Sequence, residues 1–482
     1  MSNITNITKI TNNQLYEKYK LEKELLFSQK VKLNGWIKTI RVQSTMFFIA
    51  LNDGSSSLNV QITGEINLHT IINKLNTGTA IQVEGTVVKS PALGQSFEIQ
   101  AENIISYGEI ENLSEYPIAK SKLGIDFLRT LPHLRSRTNF FSAVNRIRHS
   151  MMFATHLFYD KEGFYHLDPN ILTVNECEGG AGVFTVTELL NKKVSEIPSD
   201  LSGNIDWSKD HFKQRVFLTV SSQLHLEGLA MAMSKVYTTN KSFRSEHSLT
   251  NKHVSEFAHL EIEQCFTTFE DLIDIAENYI KYVMKYVQER NKDDLNQLVQ
   301  TSKFSKDFVE EDFISRYNII SQDRWLRVKY SEAIIILEKN KSSLINSPPK
   351  YGEDMNSECE KFLTEYFKGP VFLTHWPQEI KSFYMKQLDD GTCESFDLLI
   401  PGIGELIGAS QREENYDKLI DQMKIKGIEP EGLSFYTNLR KFGTAPHGGF
   451  GLGLDRFLMY LTGMKNIKDV IPYPVYYTSC NF

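Results

Sequence analysis

Val31-Lys32-Leu33-Asn34-Gly35-Trp36-Ile37-Lys38-Thr39-Ile40-Arg41-Val42 opens a run of short strands, and Met46-Phe47-Phe48-Ile49-Ala50-Leu51 continues it. Apolar residues recur here at strand-like intervals. Asn52-Asp53-Gly54 is a turn signal before a third strand over 58–62. A short helical stretch follows over 68–75, then strands over 80–89 and 96–105. Five strands with a helix between the third and fourth match an OB-fold barrel, although other small β-barrels share this order.

The rest of the chain is read outward from that barrel. Residues 1–20 form a polar tail in which Met1 to Asn13 repeats an Asn-Ile-Thr pattern. The tail has neither the apolar core of a secretory signal nor the arginines of a mitochondrial presequence. The barrel domain spans 21–108, and 109–137, with Pro117 and Pro132 and no clear period, is a connector. Residues 138–482 form the second domain. Phe140, Val144, Ile147, Met151, Ala154 and Phe158 recur at helical spacing over 138–160, ended by Gly163 and followed by a strand to Pro169. A second amphipathic helix covers 270–288. Strand-like runs lie at 216–221, 257–265, 371–374, 382–386 and 396–401, and a helix starts near Asp455. The stretch 290–350 reads as a polar helical insertion. Without strict βαβα alternation, this is an α+β domain with a mainly antiparallel sheet.

Composition narrows the classes. The chain has 482 residues, 41% hydrophobic and 23% charged, which excludes a mainly disordered chain. No apolar run of ~18 residues is present, so no transmembrane helix is expected. A net charge of -7 disfavours bulk attraction to nucleic acid but leaves room for a local basic groove. The 5 cysteines, Cys177, Cys265, Cys359, Cys393 and Cys480, form no CxxC pair. That disfavours a zinc site or a disulfide framework, and a reducing cytoplasm is the simplest compartment.

Three stretches carry chemistry. In Phe243-Arg244-Ser245-Glu246, an Arg and a Glu two apart on a strand share a face. Arg244 there can grip a phosphate, and Glu246 can accept from a base amino group. His253, Glu256 and Phe257 follow closely. A solvated cross-strand pair reads the same way. Gly449-Phe450-Gly451-Leu452-Gly453-Leu454-Asp455-Arg456 alternates glycines, which let a strand approach a ligand, before a helix carrying Arg456. It is neither a Walker loop nor a Rossmann fingerprint; a tight strand-to-helix turn is the plain alternative. Asp397 and Glu405 bound an apolar run, and hard carboxylate oxygens so placed suit Mg2+ bridging phosphates. They also serve as ordinary turn residues in many proteins.

In this order the stretches resemble the motifs of the class II aminoacyl-tRNA synthetases, most closely the asparaginyl members, from about Val31 to the end. The helix 138–160 running to Pro169 is similar to motif 1, Phe243 to Glu246 to motif 2, and Gly451 to Arg456 to motif 3. The barrel in front places the resemblance in the aspartyl, asparaginyl and lysyl subgroup. The resemblance implies the class II fold and a ligase that activates L-asparagine with ATP and transfers it to the 3′-terminal adenosine of tRNA(Asn). It implies a homodimer through motif 1, Mg2+ with the ATP, and no membrane partner.

By the same resemblance, Arg244 binds the α-phosphate, Glu246 the adenine amino group, and Phe257 stacks on adenine. His253 and Arg456 hold the γ-phosphate, Gly453 and Asp455 belong to the same ATP site, and Asp397 and Glu405 hold Mg2+. Arg244 and Arg456 are the catalytic pair. Phe48 and Gln61 match the residues that read the middle anticodon base. Glu178 matches a holder of the substrate ammonium, and Gln223 assists it. Aspartyl enzymes carry a Lys where Ser221-Ser222-Gln223-Leu224-His225-Leu226-Glu227 has Leu226, so a substrate carboxylate lacks its partner here. Glu261 and Arg412 together offer one acceptor and one donor, which is what a carboxamide requires. An aspartyl enzyme, a catalytically inactive RNA-binding relative and a tRNA-independent asparagine synthetase are the other readings. The first is disfavoured by Leu226, the second by retention of Arg244, Glu405 and Arg456, the third by the barrel. Two departures from the family pattern are Val475 after Pro474, where an Arg is usual, and Ser357-Glu358-Cys359-Glu360.

Overall fold

The computed structural model describes residues 7–68, 70–110, 112–118, 123–175 and 182–481. It divides into two compact units, one of Met1–Ile147 with Asn291–Asp307, the other of Arg148–Arg290 with Phe308–Phe482.

In the first unit, helix α1 (Asn12–Glu22) begins at a capping box: Gln14 N donates to Thr11 Oγ1 at 3.2 Å, and Thr11 N donates to Gln14 Oε1 at 3.0 Å. The barrel strands are β1 (Lys30–Gln43), β2 (Met46–Asn52), β3 (Val60–Glu65), β4 (Ala80–Lys89) and β5 (Phe97–Gly108). They pair in the order β1-β2-β3-β5-β4, and β4 returns to β1 to close the barrel. Only β3–β5 is parallel within this ring. Extra residues at Lys38 of β1 and at Glu102 and Tyr107 of β5 shift the register and supply the bends that closure needs. Alternate residues of β4 (Ile81, Val83 and Val87) join Leu33, Ile49, Ile62 and Ile99 in one core. Burying each is worth about 1.5–3 kcal/mol. The third strand starts later than the expected 58–62. Asn52 Nδ2 donates to Ser56 O and Leu58 O at 3.1 and 3.2 Å, which holds that segment as a loop. The expected helix over 68–75 is instead a pair of 3-10 turns, Ile66–Leu68 and Thr70–Lys74.

Helix α2 (Asn139–Lys161) carries the chain from one unit to the other. The second unit is built on a nine-stranded sheet. Its strands are β6 (Tyr165–His166), β7 (Lys235–Thr238), β8 (Lys241–Phe243), β9 (Glu256–Cys265), β10 (Leu326–Lys329), β11 (Val371–Thr374), β12 (Ser395–Ile400), β13 (Gly404–Gln411) and β14 (His447–Gly453). The order is β10-β11-β12-β13-β14-β9-β7-β6, with β8 paired to β9. The path from β11 to β7 is antiparallel throughout, and only the two outermost pairs are parallel. This is the expected α+β domain with a mainly antiparallel sheet.

Helices α3 (Gln223–Met233), α4 (Phe269–Arg290), α5 (Ser357–Tyr366) and α6 (Leu454–Thr462) surround the sheet. All six residues of β12 are buried, as a central strand covered on both faces requires. Buried residues of α4 recur at Leu272, Ala276, Tyr279, Val283 and Val287. Thr155 Oγ1 of α2 and Tyr279 OH share a hydrogen bond at 2.9 Å. Among the described residues no helix is long and apolar enough to cross a membrane.

Two expectations change. Residues 382–386 form a turn bridged at Met385 to Arg412, not a strand. Phe383 and Tyr384 are both buried, and consecutive burial breaks the two-residue period of a pleated strand with one open face. The stretch 290–350 is not purely helical, since it supplies edge strand β10.

Candidate active site

Strand register lays down the floor of a cleft. Asp397 of β12 pairs with Gly408 of β13, Gly408 with Gly451 of β14, and Gly451 with Glu261 of β9. Two residues along, the row reads Ser395, Ser410, Gly449 and Glu263. Strands lie ~4.8 Å apart, so the backbones of Asp397 and Glu261 stand roughly 14 Å apart with only glycines between them. That leaves an open trough with acids on both sides. Alternate residues of β9, Phe257, His259, Glu261 and Glu263, line it. Arg244, His259, Glu405, Gly408 and Gly451 border both halves of the trough.

One half collects cations and an aromatic ring. Arg244, Glu246, Lys252, His253, Phe257 and Arg456 line it, beside Gly453 and Asp455. Arg244 and Glu246 lie just beyond β8, not within it, because the strand ends at Phe243. They reach the cleft from a loop. The Arg244 guanidinium carbon lies 5.6 Å from the Phe257 ring centroid. His253 Nε2 is 3.8 Å from Glu246 Oε2. Burial, and next the Arg456 guanidinium, hold the His253 imidazole below the usual histidine range. Lys252 Nζ donates to Ile403 O at 2.6 Å. Asp455 borders this half, but its carboxylate accepts from Arg148 of α2 and from Ala258 N, the latter at 2.8 Å. Its geometry is that of a clamp joining α2, β9 and α6.

The other half presents paired donors and acceptors. Glu261 accepts from Ser222 N at 2.9 Å and from Ser221 Oγ, which fixes its carboxylate at the start of α3. Arg412 pairs with Glu263 and donates to Ser410 Oγ at 2.7 Å. Gln223, at the first position of α3, also lines this half, with Tyr384 and Lys381. Leu226 does not. It is fully buried in a cluster with Ala230, Val236 and Cys265. The missing aspartyl-type Lys therefore does not leave an apolar wall in the cleft, whose polar lining on this side includes Glu261, Glu263 and Arg412. Glu178 and its neighbour Cys177 lie outside the described residues.

The carboxylates at the β12 end fit a hard divalent cation. A Cβ built on Gly408 would lie 3.3 Å from Glu405 Oε1 and 3.8 Å from Asp397 Oδ1, so both oxygens converge over that glycine. Burial pushes the Asp397 carboxyl up to about 6, with Lys381 opposing and Glu405 adding to the rise. Burial and Glu405 push Glu360 of α5 up to about 7. Lys381 Nζ, 2.8 Å from Asp397 Oδ2, offsets part of this negative charge. Among the described residues no three acidic, histidine or cysteine side chains cluster as a metal site, so Asp397 and Glu405 offer two hard oxygen donors, and a divalent cation there would need phosphate oxygens to complete its shell.

In the barrel, Phe47 is fully buried while Phe48 is part-exposed. Phe48 pairs with Thr63 and Ala50 with Gln61, so Phe48 and Gln61 are diagonal neighbours on one face. Gln61 Nε2 donates to Ile49 O at 3.2 Å.

The sequence expectations do not include Lys252, His259, Glu263 or Lys381, and name Glu360 only within the Ser357–Glu360 departure. His259 and Glu263 had a signal: they continue the two-residue period set by Phe257 and Glu261. Lys252 and Lys381 reach the cleft by tertiary packing that local pattern does not encode, and Glu360 accepts from Glu405 N at 3.2 Å without lining it.

A fold and cleft of this kind define a protein class. The family model of class II tRNA synthetases (D, K and N) matches residues 125–476, and that of the OB-fold nucleic acid binding domain matches 31–106. The chain belongs to the class II tRNA synthetases of this D, K and N group. Within the group it is similar to the asparagine--tRNA ligase of Vibrio vulnificus, 40% identical over 469 residues, covering 96% of this chain and 98% of that one. The asparagine--tRNA ligase of Bacillus cytotoxicus is 42% identical over 468 residues, covering 96% and 98%. Among solved structures, the asparaginyl-tRNA synthetase of Pyrococcus horikoshii complexed with asparaginyl-adenylate superposes with TM-score 0.82 at 26% identity, covering 98% of this chain and 99% of that one.

Proposed function

We propose that this chain is an asparagine–tRNA ligase. A carboxylate oxygen of L-asparagine attacks the α-phosphorus of ATP, the bond to the β-phosphate breaks, and pyrophosphate leaves. A hydroxyl of the 3′-terminal adenosine of tRNA(Asn) then attacks the carbonyl carbon of asparaginyl-adenylate, and AMP leaves. The observation that carries this is Arg244 at the junction of the two halves of the trough, beside cations on one side and the Glu261/Arg412 set on the other.

Each side chain has a task set by its place. Arg244 donates to the α-phosphate and stabilises the charge that builds there. Arg456 and His253 hold the γ-phosphate, Glu246 accepts from the adenine amino group, and Phe257 stacks on the base. Asp397 and Glu405 would hold Mg2+, which when bound would supply charge neutralisation to the phosphates. Glu261 accepts from the carboxamide NH2, and Arg412 donates to its oxygen. A carboxylate in the same place meets Glu261 as a like charge. No side-chain nucleophile is required, so the acceleration comes from alignment and charge. Phe153 and Leu157 of α2 are 46% and 38% exposed, and support a homodimer packed through this helix.

ATP–pyrophosphate exchange with asparagine and with aspartate, without tRNA, tests the reading. Exchange with asparagine alone is expected. Exchange with aspartate but not asparagine overturns the choice of amino acid, and exchange with neither overturns the ligase reading. Phe48 and Gln61 read the middle anticodon base by stacking and edge contact. Phe48→Ala is expected to lose about 1–3 kcal/mol of tRNA affinity. Filter binding measures that loss, and an unchanged exchange rate shows that it is confined to the barrel. Equal tRNA affinity would remove Phe48 from the anticodon site.

A further inference from the structure

Glu227 is fully buried, does not line the trough, and yet touches two residues that do. It lies four residues after Gln223 on α3, which puts both on one helix face. Gln223 Nε2 donates to Glu227 Oε1 at 3.1 Å, and Arg412 Nε lies 3.8 Å from the same oxygen. Tyr436 OH donates to Oε1 at 3.0 Å, Arg440 Nη2 to Oε2 at 2.8 Å, and His447 Nε2 contacts Oε2 at 2.9 Å. Donors on both oxygens fix the carboxylate in one orientation.

We infer that Glu227 is a positioning residue for amino-acid selection, acting through Gln223 and Arg412. This rests on the ligase reading above. An ionised carboxylate only accepts, so it determines which end of the Gln223 amide it receives. The NH2 is committed to Glu227, and the amide oxygen is left to accept an N–H of the amino-acid substrate. The same carboxylate lies 3.8 Å from Arg412 Nε, and Glu263 pairs with Arg412 from the other side. That placement keeps the guanidinium partly neutralised and suits it to a neutral carboxamide oxygen over a second carboxylate.

Glu227→Gln tests this, because it preserves size while removing one charge and one acceptor. The expected result is a rise of about tenfold or more in KM for asparagine in pyrophosphate exchange, one lost charge-assisted hydrogen bond being worth roughly that factor. KM for ATP should stay within about twofold, and the asparagine-to-aspartate ratio of kcat/KM should fall. A purely structural role would move both KM values together and leave the ratio alone. That outcome, or no change in either KM, overturns the inference. If Glu227→Gln does not fold, Tyr436→Phe takes its place, since it removes one donor to the same oxygen. A rise in KM for asparagine alone is expected, and an unchanged value overturns the inference. The unmodified chain separates the two claims. If it exchanges with a different amino acid, the asparagine reading fails, and the KM split is read with that amino acid instead.

Discussion

Arg244→Ala is expected to lower the rate of adenylate formation by about 10²–10³-fold while the chain melts near its unmodified temperature. The magnitude is that of removing one preorganised donor from a site where charge develops in the transition state. Two features make Arg244 the residue for it. It is among the few that border both halves of the trough, which the proposed function makes the meeting place of the amino-acid carboxylate and the α-phosphate. It also sits in a loop beyond β8, and truncating its side chain leaves the backbone bond from Arg244 N to Ser255 O at 3.0 Å in place. Arg244→Lys keeps the charge but not the planar fork, and should recover only part of the rate. Single-turnover formation of the adenylate, read beside KM for ATP, measures the effect. A loss that falls wholly on KM for ATP would mean that Arg244 binds ground and transition states equally, and its catalytic role would be lost.

The fold was largely legible because its signals are local and periodic. Strand β4 was read at its observed limits, and α4 within two residues of its observed ends. The misreadings share one cause. At 382–386, two consecutive aromatics are drawn into the same core, and at 58–62 the Asn52 side chain captures a carbonyl that a strand would have used. Both are tertiary contacts that override a local pattern. The site followed the same rule. Phe257 and Glu261 pointed to the cleft face of β9, and their period would also have given His259 and Glu263. Leu226 lies outside the cleft because a helix turns successive residues to different sides, and alignment of a single position does not fix which side it faces. The structure turns Leu226 into the apolar cluster and gives the polar contacts of α3 to Gln223 and Glu227. Lys381 and Glu360 come from segments far from the motifs, and no spacing announces them.

The glycines of β14 give the second large effect, and they do not act alike. Gly449 faces Glu263 across the sheet, and a Cβ there would lie well inside contact distance of Ile262 O and of the Glu263 carboxylate. Neither can yield cheaply. The first is backbone in a paired central strand, and the second is held by Arg412. Gly453 differs, since the nearest atom to its Cβ would be Arg456 Cγ at 3.8 Å, an ordinary contact. Gly449→Ala is therefore expected to cost about 3 kcal/mol or more, by forcing β9 and β14 apart and straining a buried ion pair. Gly453→Ala should melt close to the unmodified chain, and any change should appear in KM for ATP. Thermal melting of the two variants side by side makes the comparison, and equal melting temperatures would refute it. The reason the two must differ is mechanical. The sequence run looks like one ligand-facing glycine motif, but its members serve two needs. Gly451 leaves the trough open where Arg244 and Glu405 meet it, whereas Gly449 makes room for the carboxylate that holds Arg412. A substitution at Gly449 therefore reaches the amino-acid half through the sheet itself, without touching a substrate.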